Sequence, residues 1–377
     1  MENAFAELNL GVLADNLRLM RTALCTGSEL VFVVKADAYG HGMLPVCRLA
    51  AAEGVRWFAV AHIDEAITLT DNLPDVRVMI LGALQVDAVR EVIQRRIIPL
   101  ILHEEQGVAL AAEAASMNKV LRCHVKIDTG MGRLGFVWNT AAGAITRLAR
   151  LKGLEVVGVC SHLASAEGPD IVYAQVQVAR LHGVIEKCRE LGITFQMRHV
   201  SNSGGFHCLP ECDYEGVRCG IELYGYGPRG INTRVVARPF LQWKSSIVQV
   251  RKVPAGFTVG YGSTHTTTRE TNLATMDFGY ADGYSRLLGN KAQVLIGGRR
   301  VPVVGRVSMN LTTADVGPET TARAGDEVVL LGTQGGESIW ADEIARWCGT
   351  IPYEVLTGIR TKARYTVGPA GSRVRAN

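Results

Sequence analysis

The sequence predicts an α/β protein, with an N-terminal (β/α)8 TIM-type barrel over residues 1–232 and a mainly-β domain over residues 233–377. Two observations predict this fold. Eight short apolar runs alternate with amphipathic stretches before residue 232, and continuous apolar runs are typical of parallel strands buried on both faces. After residue 232 the pattern changes to alternating, β-rich segments that Gly and Pro interrupt.

The eight apolar runs are the predicted barrel strands. They fit a closed barrel better than an open sheet, because such barrels repeat the strand–helix unit eight times over about 250 residues. The runs are Leu30–Val34, Trp57–Val60, Arg77–Leu81, Pro99–Leu102, Leu121–Ile127, Glu155–Cys160, Gln196–Val200 and Glu215–Arg218. The predicted segments of the β domain are Gln242–Val253, Asn272–Asp277, Gln293–Ile296, Arg300–Val307 and Glu327–Leu331, with a single helix at Trp340–Cys348.

Composition excludes several classes of protein. With 47% apolar and 20% charged residues the chain is not disordered. Its net charge of +4 is small and scattered, so we expect neither a nucleic-acid partner nor a membrane surface. Nine cysteines without a C-x-x-C pair predict reduced thiols rather than a disulfide framework or a zinc site, and the start has no secretory pattern. We therefore expect a cytoplasmic protein.

Two glycine-rich segments could be mistaken for a dinucleotide site. Gly130–Gly135 and Gly225–Gly230 both match G-x-G-x-x-G. A true dinucleotide fingerprint follows a strand and opens a helix, usually in the first βαβ unit. Neither match has that context, so NAD binding is not expected.

Lys35 is the first candidate for chemistry. It follows the apolar end of the first predicted strand, and barrel enzymes build their sites at the carboxyl ends of the strands. A lysine on the barrel wall is partly dehydrated, which lowers its pKa and suits it to imine formation and proton transfer. The alternative is a lysine that has already emerged into the loop.

The fifth predicted strand brings three charges to the same rim, from Lys126, Asp128 and Arg133. Charges in a barrel mouth need partners or a charged ligand. The forked guanidinium of Arg133 matches a carboxylate. Arg133 therefore either binds an anionic substrate or pairs internally with Asp128.

The last three predicted strands indicate a phosphate site. His162 ends the sixth, and Ser203 is followed by two glycines at a helix start, where N–H groups and the helix dipole favour phosphate. Arg218 ends the eighth and Gly220 follows it, and loops after strands seven and eight commonly bind phosphate in barrels. An amine that faces a phosphate cradle fits pyridoxal phosphate.

In their order along the chain, these motifs resemble the pyridoxal-phosphate-dependent alanine racemases. The resemblance runs essentially end to end and rests on the segments 34–42, 128–135, 217–225, 279–283 and 305–309. It implies a barrel followed by a β domain, and an isomerase that interconverts L- and D-alanine to supply the bacterial cell wall. It also implies a head-to-tail homodimer with shared active sites.

The resemblance implies catalytic roles for matching residues. Lys35 would hold the cofactor as an internal aldimine and act as one acid/base group. Tyr261 would be the second base, and would enter the partner's site together with the Met309 loop. Arg133 would contact the substrate carboxylate and would be oriented by Lys126, which is often carbamylated in this family. Two bases on opposite faces exchange the α-proton without moving the substrate, but both pKa values, ~10.4 and ~10 in solution, must be lowered.

The resemblance also implies which residues bind the cofactor. Arg218 would meet the pyridine nitrogen, with His162 beside it. Because a guanidinium is not deprotonated in proteins, the ring nitrogen would stay unprotonated, which disfavours transamination. The phosphate would be bound by Tyr39, Ser203, Tyr353 and the backbone of Gly220 and Ile221.

One departure from the family pattern affects substrate range. Asn310 follows Met309 where the family usually has an aspartate, so a serine or broader-specificity racemase is the alternative to an alanine racemase. A decarboxylase of basic amino acids is disfavoured because its relatives place a cysteine where this chain has Gly260-Tyr261-Gly262. A non-catalytic carrier of pyridoxal phosphate is disfavoured by the second domain.

Overall fold

The computed structural model of the chain describes residues 4–228 and 233–367. They divide into two compact units. We call the first, Leu13–Ala38 and Met43–Arg238, the barrel unit. We call the second, which includes residues 4–12, 39–42 and 239–367, the β unit. The predicted boundary at residue 232 and the end of the second glycine-rich match fall on 229–232, outside the described residues.

The start of the chain differs from the prediction, which placed it in the barrel. Strand β1 (Phe5–Asn9) belongs to the sheet of the β unit, where it pairs antiparallel with Leu241–Val253 and parallel with Lys362–Thr366. Its alternating burial explains why it joins a sheet with one covered face.

The barrel unit is a ring of parallel strands, as predicted. The eight predicted strands are confirmed, with ends shifted by one residue at most. The strands are β2 (Glu29–Val33), β3 (Trp57–Val60), β4 (Arg77–Ile80), β5 (Ile98–Ile101), β6 (Leu121–Asp128), the short β7 (Phe136–Val137) beside β6, β8 (Leu154–Cys160), β9 (Met197–His199) and β10 (Gly216–Cys219). They pair in the order β10-β2-β3-β4-β5-β6-β8-β9, and the Arg218 N–H donates to the Ser201 carbonyl at 3.0 Å, joining β10 to the segment after β9.

Helices connect these strands on the outside of the sheet, since strands buried on both faces need cover. Leu13, Leu17 and Met20 of the first helix are fully buried. The helices are α1 (Leu10–Ala23), α2 (Lys35–Gly40), α3 (Met43–Ala52), α4 (Ile63–Asn72), α5 (Val89–Gln94), α6 (Glu104–Ser116), α7 (Ala141–Leu148), α8 (Val172–Glu190) and α9 (Ser203–Cys208). No helix of the described residues is long and apolar enough to cross a membrane.

Besides β1, the β unit contains the strands β11 (Leu241–Val253), β12 (Thr258–Val259), β13 (His265–Thr266), β14 (Thr271–Met276), β15 (Gln293–Ile296), β16 (Arg299–Pro302), β17 (Thr312–Asp315), β18 (Glu327–Gln334), β19 (Glu337–Ile339) and β20 (Lys362–Thr366). Nine strands form one branched sheet with the main order β16-β15-β18-β11-β1-β20, and β12 and β13 pair with each other. Its helices are the predicted α10 (Ala341–Cys348) and the unpredicted α11 (Pro352–Gly358).

Candidate active site

Lys35 lies two residues beyond the end of β2 and opens α2. Its backbone has left the strand, as one of the two alternatives expected, but its side chain remains half buried. Burial lowers the pKa of the Lys35 amine, and the positive charge of Arg133 lowers it further. The amine is therefore closer to its neutral, nucleophilic form than a solvated lysine.

The turn α2 after Lys35 is left-handed. A left-handed helical backbone costs an L-residue roughly 1–2 kcal/mol, and single such residues are the rule. Here five consecutive residues have φ between 53° and 78°: Ala36, Asp37, Ala38, Tyr39 and Gly40. Backbone strain of this kind persists only where surrounding structure enforces it, and it concentrates at functional sites.

Glu65 is the side chain that holds the start of this turn. One of its carboxylate oxygens accepts the Ala36 N–H at 2.7 Å. The other accepts the N–H groups of Ala61 at 2.8 Å and His62 at 3.1 Å. Glu65 was not predicted as a site residue. Its position three residues after the helix cap at His62 is the sequence signal that could have found it.

Lys126, Asp128 and Arg133 occupy the carboxyl end of β6 and the loop after it. Lys126 is 9% exposed, and burial lowers its pKa to about 8. Burial by itself raises the pKa of the Asp128 carboxyl, but four backbone N–H groups outweigh it and lower that pKa. They belong to residues 130–133 and lie 2.9–3.2 Å from the carboxylate oxygens.

Asp128 therefore organises the loop instead of pairing with the Arg133 guanidinium. It accepts the backbone N–H of Arg133, whose side chain is exposed and has no ion-pair partner within the described part of the chain. Of the two expectations for Arg133, the geometry favours a guanidinium that is available for a ligand carboxylate.

Arg218 is buried inside the barrel with no carboxylate bonded to it among the described residues. Its guanidinium donates to the carbonyls of Ser161 at 2.7 Å, His199 at 2.9 Å and Val200 at 3.1 Å. It also lies 3.4 Å from His162 Nδ1. Burial first, and then the Arg218 charge, lower the pKa of His162 well below its ordinary value, so this imidazole is neutral.

Two further histidines continue this contact into the barrel interior. Arg218 Nη1 lies 2.6 Å from His199 Nδ1, and His199 Nε2 lies 2.8 Å from His124 Nδ1. Sequence reasoning missed both, because a histidine within an apolar strand is usually a hydrogen-bonded core residue. The column of Arg218, His199 and His124 fixes the position of the guanidinium.

Three of the predicted phosphate-binding residues, Ser203, Gly220 and Ile221, are buried in the barrel unit. Ser203 opens α9 and is 3% exposed, and Asn202 caps this helix by accepting the Gly205 N–H at 3.0 Å. Ser203 Oγ accepts the Glu222 N–H at 3.4 Å, which brings the chain after β10 beside it. The N–H groups of Gly220 and Ile221 have no acceptor among the residues that the structure describes.

Tyr39 and Tyr353 lie together in the β unit. Their ring centroids are 5.9 Å apart. Tyr39 is on the left-handed turn, and Tyr353 is in the first turn of α11. The sequence placed both in a phosphate site, and the structure brings these two phenol rings into contact.

Tyr261 and Met309 lie on neighbouring exposed loops of the β unit. Tyr261 is 71% exposed and Met309 is 56% exposed. Asn290 ties the two loops, donating to the Thr264 carbonyl at 3.3 Å and accepting the Gly305 N–H at 2.6 Å. Asn310 is exposed next to Met309. These side chains therefore point out of the unit that carries them.

Comparison with known proteins identifies the family of the chain. The family model described as alanine racemase, N-terminal domain, matches residues 8–228, and the alanine racemase C-terminal domain matches residues 240–367. An alanine racemase of Carboxydothermus hydrogenoformans is 41% identical over 361 residues, covering 95% of this chain and 98% of that protein. A second, from Syntrophobacter fumaroxidans, is 40% identical over 95% of this chain and 96% of its own length.

Solved structures agree with this assignment. The alanine racemase of Clostridium difficile 630 superposes with a TM-score of 0.92 at 32% identity, covering 100% of this chain and 98% of the other. The alanine racemase of Bartonella henselae, solved with covalently bound pyridoxal phosphate, superposes with a TM-score of 0.88 at 29% identity over 97% and 100% of the two chains. The chain belongs to the alanine racemase family.

Proposed function

We propose that this protein interconverts L-alanine and D-alanine with pyridoxal 5'-phosphate as cofactor. The observation that carries the proposal is Lys35, a half-buried amine with a lowered pKa at the carboxyl end of a parallel barrel. Such an amine suits both attachment of a carbonyl cofactor and proton transfer. Family membership and the neighbour with covalently bound pyridoxal phosphate support the choice of cofactor.

The residues of the barrel unit fit this cofactor. A phosphate needs donors, and the free N–H groups of Gly220 and Ile221 lie beside the chain that contacts Ser203 Oγ. A pyridine nitrogen accepts a hydrogen bond, and the guanidinium of Arg218 is a donor that backbone carbonyls hold in place. We assign phosphate binding also to Tyr39 and Tyr353. When bound, the cofactor supplies the electron sink that makes the α-proton of an amino acid removable.

Lys35 Nζ takes and returns the α-proton on one face of the substrate in this proposal. Its lowered pKa increases the fraction of neutral amine that can act as a base at neutral pH. Arg133, whose guanidinium is unpaired among the described residues, binds the substrate carboxylate. Arg218 only donates hydrogen bonds, so it orients the ring nitrogen without giving it a proton.

Tyr261 Oη acts on the opposite face, and we propose that it does so in the site of a second copy of the chain. A phenol that is 71% exposed on its own unit is placed to enter a partner. Met309, on the neighbouring loop, is exposed as well, and exposed apolar side chains that cluster mark interaction surfaces. The active unit is then a homodimer with two shared sites.

We further propose that the enzyme works in the cytoplasm and supplies D-alanine for peptidoglycan. All nine cysteines are free thiols in the described residues, which suits a reducing compartment. The substrate alternative is serine or a broader range of amino acids. It is favoured by the exposed amide of Asn310, which replaces a negative charge beside Met309.

A panel of L-amino acids scored for D-product tests the proposed activity. We expect turnover that is fastest with alanine and weaker with serine, and no carbon dioxide release from L-lysine or L-ornithine. Lys35→Ala should abolish turnover, whereas Lys119→Ala, at an exposed lysine of the same unit, should keep it. Unchanged racemisation by Lys35→Ala would overturn the proposal.

A further inference from the structure

A cavity of about 640 Å³ opens at the amino-terminal end of the barrel strands. It lies at the end opposite to Lys35, because its wall includes the residues that begin strands β2 to β5: Glu29, Trp57, Arg77 and Ile98. The cavity is open to solvent, since Glu29, Arg77 and Arg96 in its wall are exposed. The reaction proposed above does not use it.

His124 forms part of the cavity wall and is only 1% exposed. Gly158 leaves the space that the His124 ring occupies. A Cβ on Gly158, the neighbouring residue on β8, would lie 2.5 Å from His124 Cδ2 and Nε2. Only glycine leaves space for the imidazole there. Burying an imidazole in a strand costs free energy unless its polar atoms are satisfied.

Hydrogen-bond donors and acceptors fix which nitrogen of His124 carries the proton. Arg218 can only donate, so His199 Nδ1, 2.6 Å away, must accept. His199 is neutral, because burial lowers its pKa well below the ordinary value. Its Nε2 therefore carries the proton and donates to His124 Nδ1 at 2.8 Å.

The remaining proton of His124 then lies on Nε2. Burial lowers the pKa of His124 to about 3, so the ring is neutral and Nε2–H is its single donor. No acceptor for this N–H is found in the ranges 4–228 and 233–367. The Nε2–H is thus presented to the cavity without a protein partner, where a ligand oxygen can supply the acceptor.

Four arginines line the cavity together with this donor. The Arg77 guanidinium carbon lies 5.4 Å from the centroid of the Trp57 ring, which is itself 6.4 Å from the His124 ring. Arg122 precedes His124 by two residues, on the same face of β6, and also lines the cavity. Arg95 and Arg96 complete the basic wall.

Carboxylates pair with two of these arginines: Arg122 Nε lies 3.3 Å from Glu155, and Arg95 lies 3.2 Å from Asp71. Arg77 has no ion-pair partner among the described residues. Of the acidic residues in the wall, Glu215 is paired with Arg198 at 2.5–3.2 Å, and Glu29 and Asp75 are exposed at the rim. The wall therefore combines an N–H donor with guanidinium groups, which is the chemistry that recognises an oxyanion.

We propose that this cavity binds a small oxyanion through His124 Nε2–H and the guanidinium groups of Arg77 and Arg122. The site is separate from Ser203, Gly220 and Ile221, the predicted cofactor-phosphate residues of the barrel unit, which follow the carboxyl ends of β9 and β10. The ligand class is a tetrahedral anion such as phosphate, or a carboxylate, since both present oxygens that accept these hydrogen bonds.

Calorimetric titration of the cofactor-loaded enzyme with inorganic phosphate, at ionic strength held constant with sodium chloride, tests the site. We expect saturable binding of one phosphate per chain. A parallel titration with acetate separates the two ligand shapes: weaker binding than phosphate indicates a tetrahedral site, and tighter binding indicates a carboxylate site. Absence of saturable binding by both anions would overturn the proposal.

Matched substitutions locate the binding. His124→Asn keeps an acceptor for His199 but removes the donor at the Nε2 position, so phosphate should bind about tenfold more weakly or worse. His124→Gln keeps an N–H near that position and should bind more tightly than His124→Asn. Equal affinity of wild type and His124→Asn would contradict the assignment.

Two substitutions of exposed arginines test the site independently, in case the His124 variants do not fold. Arg77→Gln removes an exposed charge of the cavity wall, and Arg150→Gln removes an exposed charge elsewhere in the same unit. We expect Arg77→Gln to weaken phosphate binding about tenfold and Arg150→Gln to leave it unchanged. Equal effects of the two substitutions would show that only net charge matters, and would overturn the site.

Discussion

Lys126 is a second buried lysine in the barrel unit, besides the half-buried Lys35. Burial lowers its pKa from 10.5 to about 8, with contributions from Arg218 and Arg133. A folded-state pKa below the unfolded value means that the native state binds fewer protons in the range between them. Unmodified Lys126 therefore destabilises the fold below pH 8, and this cost disappears as the pH rises above 10.5.

We predict that Lys126 reacts reversibly with carbon dioxide to form a carbamate. The neutral amine is the nucleophile, so the modified fraction should increase as the pH rises through 8. Carbon-13 NMR of the protein in labelled bicarbonate should show a carbamate signal that grows between about pH 7 and pH 9. Lys126→Gln should remove the signal. A signal that survives this substitution, or none in wild type, would contradict the prediction.

Some residues of the site could be predicted from the sequence because their position relative to a barrel strand indicates a function. Lys35 and Arg133 follow strand ends and Arg218 lies at the carboxyl end of a strand, and that rule needs no coordinates. Glu65 acts through three backbone N–H groups from two segments, so its role depends on a tertiary fold that the sequence does not display. The same holds for His124, whose role depends on the space left by Gly158.

At the scale of elements, α2 depends most on its surroundings. Alanine and aspartate do not favour a left-handed turn by themselves, yet residues 36–39 adopt it. Gly40 ends the turn at φ 78° and lies against α11. A Cβ at Gly40 would lie 2.4 Å from the Leu356 carbonyl oxygen, so the turn and α11 are packed backbone against backbone.

We predict that Gly40→Ala destabilises the protein more than the backbone angle alone explains. Gly192→Ala is the matched control, because Gly192 has φ 77° and nothing within 4 Å of its Cβ position. The control should cost about 1–2 kcal/mol from the left-handed angle, and Gly40→Ala about 1–3 kcal/mol more from overpacking. Thermal unfolding of both variants measures the difference, and equal shifts in Tm would refute the packing argument.

Strands and helices could be predicted where the local sequence pattern matches the environment of the segment in the folded protein. The eight barrel strands are short apolar runs, and all eight are present. Strand β20 (KARYT) is mostly polar and half exposed, and it becomes a strand by pairing with β1, more than 350 residues away in sequence. A pairing between segments so far apart in the sequence is not encoded by a local pattern. Helix α11 is short and begins at a proline, which reads equally well as a turn.

At the scale of the molecule, the β unit presents a group of exposed apolar side chains. Tyr261, Tyr280, Leu287, Met309 and Ile351 are all exposed and all belong to this unit. Exposed apolar side chains that cluster in this way mark interaction surfaces. This is the basis for expecting two copies that exchange catalytic groups.

We predict that two inactive variants restore activity when they are mixed. In a dimer of Lys35→Ala with Tyr261→Ala, one shared site has both native residues and the other has neither. Random exchange of subunits should then give about one quarter of wild-type activity. Each variant alone should stay inactive. No recovery, with subunit exchange verified by mass spectrometry, would show that each site is completed within one chain.

Peptide mapping after borohydride reduction identifies the lysine that carries the cofactor. Lys35 is half buried and Lys126 is buried, and both amines have lowered pKa values, so the label discriminates between them. We predict a pyridoxyl phosphate group on the peptide that contains Lys35 and an unlabelled Lys126. A label on Lys126, or reduction that leaves both lysines unlabelled, would contradict the account.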